Sequence, residues 1–165
     1  MPRLRARAPR GQRAVGAAPR NRGPNVTLLA TLTPTGVDAP CVIEGGTDRH
    51  VFTAYVDQVL VPTLRPGQTV ILDNLNVHKG RHLQQRVEAA GCHLRFLPTY
   101  SPDFNPIEPA FAKVKAHLRR AAARTRDGLL AATGAALDAV TRQDARGFFA
   151  HCGYPLRDHS FRNRV

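Results

Sequence analysis

Apolar positions along the chain fall into short runs with two different periods. Residues 25–33 (N-V-T-L-L-A-T-L-T) are β-rich and stop at Pro34-Thr35-Gly36, a turn signal. Residues 39–45 (A-P-C-V-I-E-G) can return antiparallel, so a hairpin is expected. Thr47 or Asp48 can then cap a helix whose apolar positions Val51, Phe52, Tyr55, Val56, Val59 and Leu60 recur at helical spacing. Pro62 and Pro66-Gly67 are expected to end it. Residues 68–73 form a continuous apolar run closing on Asp73, the pattern of a strand buried on both faces.

A helix over 78–90 is closed by Gly91, and a strand follows over 93–97. The segment T-Y-S-P-D-F-N-P-I-E is a proline-punctuated loop that opens a helix from Pro106 to about Arg124. A last long helix covers roughly 126–142, and a short turn or helix lies near 144–151. Hairpin, helix, strand, helix, strand, helix, helix is a mixed α/β order. Its strand–helix–strand crossovers require parallel pairing of the later strands. Residues 1–24 carry seven Arg, no acid and prolines at 2, 9, 19 and 24. They read as a basic, poorly ordered arm with one short strand near 13–17. A domain over 25–155 and a basic tail over 156–165 complete the division.

Composition sharpens this picture. At 165 residues and 42% hydrophobic content the chain suits one domain with a real core. No apolar run reaches the ~20 residues of a membrane span, so no membrane partner is expected. The net charge of +12, with 24 Lys and Arg against 12 Asp and Glu, favours a polyanionic partner, most simply nucleic acid. Cys41, Cys92 and Cys152 are far apart and form no C-x-x-C pair, which fits a reducing cytoplasm better than a disulfide framework. The N-terminus has no apolar signal segment.

With so few acids, each can be weighed. Asp73 stands at the carboxyl end of a buried strand, where open α/β sheets place ligand sites. Glu108 stands in the first turn of the helix after Pro106. The 34 intervening residues, 74–107, enclose one helix and one strand, a path that can return Glu108 to the strand end. Two carboxylates meeting there are hard oxygen ligands suited to Mg²⁺ or Mn²⁺. Helix chemistry offers another account of Glu108: Asn105 as N-cap, Pro106 in the first position and Glu108 at N3 make an Asn version of a capping box. Asp73 can likewise be a strand-end turn acid.

The stretches D-N-L-N-V-H-K (73–79) and L-P-T-Y-S-P-D-F-N-P-I-E (97–108) resemble the second and third acidic motifs of DDE transposases. The similarity is to the mariner superfamily, particularly its bacterial insertion sequence 630 group, in which an aspartate and a glutamate are also separated by 34 residues. A-P-R-G-Q (8–12) and strand 25–33 extend the similarity over most of 8–155. The resemblance implies a ribonuclease-H-like mixed sheet with flanking helices, with Asp73 and Glu108 as catalytic metal ligands for two Mg²⁺ or Mn²⁺ ions. It implies cleavage and transfer of double-stranded DNA at transposon ends and target, a homodimer, and a cytoplasmic, nucleoid-associated location.

The family pattern has three acids, the first on the first strand of its core. In this sequence no acid occurs before Asp38, and Asp38, next to a hairpin turn, is a poor substitute. The expectation is therefore a sheet lacking its first strand, an incomplete site and a chain inactive alone. The alternative is a non-catalytic DNA-binding or dimerisation fragment that modulates a full-length transposase. His78 is placed near the Asp73 site against phosphate or a metal-bound water, or is simply a polar residue at a helix start. Its i, i+4 spacing to His82 lacks the further ligands a zinc site needs. Asn74 either orients Asp73 or makes the turn. Lys79, Lys113, Lys115, Arg119 and Arg120 are the candidate DNA-phosphate contacts, the last four on the helix whose apolar face uses Ile107, Phe111, Val114 and Leu118. Tyr100 and Phe104 read as packing residues rather than base-stacking ones.

Overall fold

The computed structural model describes residues 7–15, 25–74, 80–154 and 156. Strands β1 (Val26–Thr33) and β2 (Gly36–Glu44) pair antiparallel from Val26↔Glu44 to Thr33↔Gly36. The second strand begins three residues earlier than the sequence suggests, because Pro34 and Thr35 alone make the turn. Gly36, at φ +140, takes a backbone conformation that side chains rarely allow. Between Leu29↔Cys41 and Thr31↔Asp38 the register slips, leaving Ala39 and Pro40 of β2 opposite Ala30. Ala39 lies in the left-handed region (φ +48) and is buried. The Tyr55 hydroxyl donates to its carbonyl oxygen at 3.0 Å.

Helix α1 (Arg49–Tyr55) is capped by Asp48, whose carboxylate accepts from Val51 N at 2.8 Å. The helical path does not stop at Pro62. It widens to a π-helical turn over Val56–Leu60 and runs on as α2 (Val61–Thr63). Proline inside an α-helix lacks an N–H and crowds the carbonyl four residues back. Here the ladder has already shifted, with Val61 N donating to Val56 O, so the wider turn absorbs the misfit.

Strand β3 (Thr69–Leu72), helix α3 (Arg81–Ala89) and strand β4 (His93–Phe96) form the expected crossover, with β3 and β4 parallel from Thr69↔His93 to Leu72↔Phe96. Helix α3 starts at Arg81, since Gly80 before it is extended (φ −142, ψ 140). Helix α4 (Ile107–Ala121) ends on Ala122 in the left-handed conformation. The C-terminal part holds two helices, α5 (Arg126–Asp138) and α6 (Arg142–His151), because Thr141 and Asp144 build a reciprocal capping box that restarts the chain. Residues 13–15 are not strand, and the remainder of the short strand expected there lies outside the described residues.

Among the described residues the strands form two separate two-stranded sheets, β1-β2 and β3-β4. Two apolar clusters hold the layers together. Phe52, Tyr55, Val56, Leu60, Leu83 and Val87 pack with Leu29, Val70, Leu72 and Leu94. Ala110, Val114, Ala136 and Val140 pack with Leu28, Leu32 and Val37. Adjacent residues Leu28 and Leu29 thus serve opposite clusters, which places the hairpin between two helical layers. No helix among the described residues is long and apolar enough to cross a membrane.

Candidate functional site

The apolar run Val70-Ile71-Leu72 ends where pairing ends: Leu97 N donates to Leu72 O at 2.8 Å, and Asp73 is the first residue beyond the strand. Asp73 is half-buried there. Asn74 Nδ2 donates to Thr99 Oγ1 at 3.0 Å, tying the exit of β3 to the loop after β4. Twenty-five positions separate the two residues, so only the parallel register of β3 and β4 could have pointed to Thr99.

That loop leads to Glu108. It contains a 3-10 turn, Pro102–Phe104, closed by Phe104 N to Ser101 O at 3.3 Å and Asn105 N to Pro102 O at 2.9 Å. The Tyr154 hydroxyl donates to Phe104 O at 2.9 Å and fastens the loop to the end of α6. Helix α4 then begins at Ile107, with Pro106 as its N-cap and no side-chain hydrogen bond to the cap. The expected Asn105–Glu108 capping box is not formed. Asn105 N, which the Glu108 carboxylate would have accepted from, donates to Pro102 O at 2.9 Å, and Glu108 N is taken by the backbone carbonyl of Asn105 at 3.1 Å. Glu108 is exposed in the first helical turn, where the positive end of the helix favours a carboxylate.

The basic candidates separate by environment. Lys113 Nζ forms an ion pair with Asp144 Oδ2 at 2.6 Å, joining α4 to the cap of α6. The Lys113 ammonium, with the Thr141 hydroxyl and backbone N–H, brings the Asp144 pKa down to about 2. Lys115, Arg119 and Arg120 are exposed on α4. Arg120 Nε also reaches Ala116 O at 3.4 Å. His82 is engaged with Asp57, 2.9 Å away, beside Arg86 Nε at 2.6 Å from the same carboxylate. The Arg86 hydrogen bond leads in holding the Asp57 carboxyl below its usual range. His78 and Lys79 lie outside the described residues.

Among the described residues no group of three or more His, Cys, Asp or Glu side chains is gathered closely enough to hold a metal ion. As donors, however, Asp73 and Glu108 are both carboxylates, the ligand type that hard divalent cations prefer. They stand on two segments that the Asn74–Thr99 bond links. The sequence model of the family described as DDE superfamily endonuclease matches residues 1–130. The chain belongs to that family.

Endonucleases of the DDE superfamily generally use divalent metal ions, and the donor set of this chain suits such ions. Among solved structures it is similar to a chain of the Mos1 strand transfer complex, with 18% sequence identity and a TM-score of 0.68. The similarity covers 91% of this chain and 47% of that one, so this chain spans about half the length of that solved relative. The likeness establishes a ribonuclease-H-like fold with small sheets and flanking helices. No curated protein matches significantly.

Proposed function

We propose that this chain is the catalytic-domain portion of a transposase of the mariner superfamily, within the bacterial insertion sequence 630 group. On this reading it acts with a second copy on transposon ends and target DNA at the bacterial nucleoid. The observation that carries the proposal is the placement of Asp73 at the carboxyl end of β3 and of Glu108 in the first turn of α4, on segments joined through Asn74 and Thr99. Asp73 and Glu108 would hold the Mg²⁺ or Mn²⁺ ions. Such ions, when bound, supply charge neutralisation and polarisation of the attacking and leaving oxygens in phosphoryl transfer. Asn74 keeps the β3 exit in register with the loop that delivers Glu108, and His78 and Lys79 are proposed as contacts to phosphate, His78 alternatively to a metal-bound water. Lys115, Arg119 and Arg120 supply exposed charge for the DNA backbone. Lys113, the remaining candidate on α4, is paired with Asp144 and braces α6.

Two carboxylates leave a two-ion cluster short of negative charge, and no acid precedes Asp38 in the sequence. With two carboxylates only, this chain alone is proposed to bind DNA without cutting it. The exposed charge of Lys115, Arg119 and Arg120 also supports the second reading, a DNA-binding or dimerising fragment that dampens a complete transposase.

Mn²⁺ titration followed by electron paramagnetic resonance tests the site. Asp73→Asn and Glu108→Gln should each weaken Mn²⁺ binding by about tenfold or more, with unchanged melting temperature. Equal affinity in wild type and both variants would sink the assignment. Cleavage of terminal-repeat DNA by the chain alone, with Mg²⁺ and dependent on Asp73, would overturn the proposal that the site is incomplete.

A further inference from the structure

Tyr100 combines two features that folding by itself does not explain. Its φ of +57 lies in the left-handed region, which a bulky side chain enters at a cost. Its side chain is on a residue that is 97% exposed, so no burial offsets that cost, and the packing role expected from sequence is overturned. The loop around it is braced. Thr99 accepts the Asn74 amide on one side, and Ser101 and Phe104 close the 3-10 turn on the other. A tyrosine held outward by a fixed frame, one residue from the tether of the β3 exit, is pre-positioned for something outside the chain. Phe104, on the same loop, is 51% exposed.

We infer that the Tyr100 ring is a stacking platform for an unpaired nucleobase at the end of the DNA strand entering the Asp73 and Glu108 region. The inference rests on the proposed function and deepens it. An aromatic face offers every base the same π-surface, so the contact is sequence-tolerant, and it neutralises no phosphate. It supplements the contacts of Lys115, Arg119 and Arg120, which follow salt. The net charge of +12 and the adjacency to the β3 exit favour a nucleic-acid strand over a protein partner.

The test uses the whole chain and two fluorescein-labelled duplexes of one sequence, one blunt and one with a short 3′ overhang ending in 2-aminopurine. Tyr100→Phe should bind the overhang duplex within about twofold of wild type. Tyr100→Ala and Tyr100→Gly should lose about 5- to 100-fold on the overhang duplex, with the salt slope unchanged and blunt-duplex binding intact. Quenching of 2-aminopurine should survive in Tyr100→Phe and vanish in the other two. Tyr100→Gly should match or exceed the wild-type melting temperature, because glycine adopts φ +57 freely; its lost affinity then cannot be ascribed to unfolding. If wild type binds both duplexes but Tyr100→Gly does so equally well, the stacking role is refuted and the broader reading stands. Equal losses on blunt and overhang duplexes, or a Tyr100→Phe as weak as Tyr100→Ala, also refute it. If wild type binds neither duplex, the proposed function falls with it. Loss of self-association in Tyr100→Gly with DNA affinity intact would assign the ring to a protein contact and overturn the inference.

Discussion

Tyr55→Phe removes one oxygen from the centre of the molecule. Tyr55 is 6% exposed, and its hydroxyl donates at 3.0 Å to the carbonyl of Ala39, the left-handed residue of the β2 bulge. The ring itself stays, packed with Phe52 at a centroid distance of 6.3 Å, so little apolar burial is lost. What goes is a neutral hydrogen bond, and the Ala39 acceptor is left inside the fold with its donor removed. Leaving a buried acceptor unsatisfied costs about 1–3 kcal/mol, and a relaxed bulge places the effect near the middle of that range. For a domain of this size the shift corresponds to a fall of roughly 4–8 °C in melting temperature. Urea unfolding should show a lower midpoint with an unchanged slope, since the surface exposed on unfolding is the same. The pH profile gives an independent readout. Burial, followed by the nearby Cys41 and Asp38, pushes the Tyr55 phenol well above its ordinary value. The folded state thus favours the protonated phenol. Its contribution is complete below about pH 10, where an unfolded tyrosine titrates, and declines as pH rises beyond that. Tyr55→Phe should therefore blunt the alkaline loss of stability. A midpoint within 0.3 kcal/mol of wild type, together with an unchanged alkaline limb, would refute the assignment of this bond as the brace of the bulge.

Asp144→Asn should destabilise the chain at neutral pH and lose that effect in acid. Lys113 and Thr141 hold the folded pKa below the unfolded one, so the contribution is present above about pH 4 and disappears as pH falls toward 2; acid unfolding followed by circular dichroism measures it. Charge reversal at Arg119 and Arg120 should weaken binding to duplex DNA about tenfold and lower the salt slope by about 2, read from fluorescence anisotropy at several salt concentrations. An unchanged slope would remove both residues from the interface. Val114→Ala, at a position 1% exposed on α4, should cost about 2–3 kcal/mol in urea unfolding through two lost methyl groups and the cavity left behind.

Much of the architecture was legible because it follows local pattern. The hairpin, the Asp48 cap, the parallel crossover around α3 and the amphipathic α4 all declare themselves through period and punctuation. The placement of Asp73 beyond a strand and of Glu108 in a first helical turn followed from the same signals. What escaped depends on partners distant in sequence or on backbone adjustments that propensity does not encode. Pro62 looked like a helix stop, but a π turn accommodates it. Asn105 looked like a cap, yet the 3-10 turn consumed that residue before α4 began. Lys113 looked like one of several surface cations, while its partner Asp144 lay 31 residues away. Tyr100 looked like packing because aromatic residues usually are, and only its backbone angle and exposure show otherwise.

The division into two small sheets has a mechanical meaning. Asp73 follows a strand of one sheet, beside the cluster built on α1 and α3, whereas Glu108 rides on α4, whose cluster packs on the hairpin through Leu28, Leu32 and Val37. No strand ladder among the described residues fixes one carboxylate against the other; their spacing is set by side-chain packing and by the Asn74–Thr99 tether. A ligand held by both carboxylates would therefore bridge the two apolar clusters. Amide exchange in β1 and β3 would slow on engagement, so that ligand capture and stiffening of the fold become a single event.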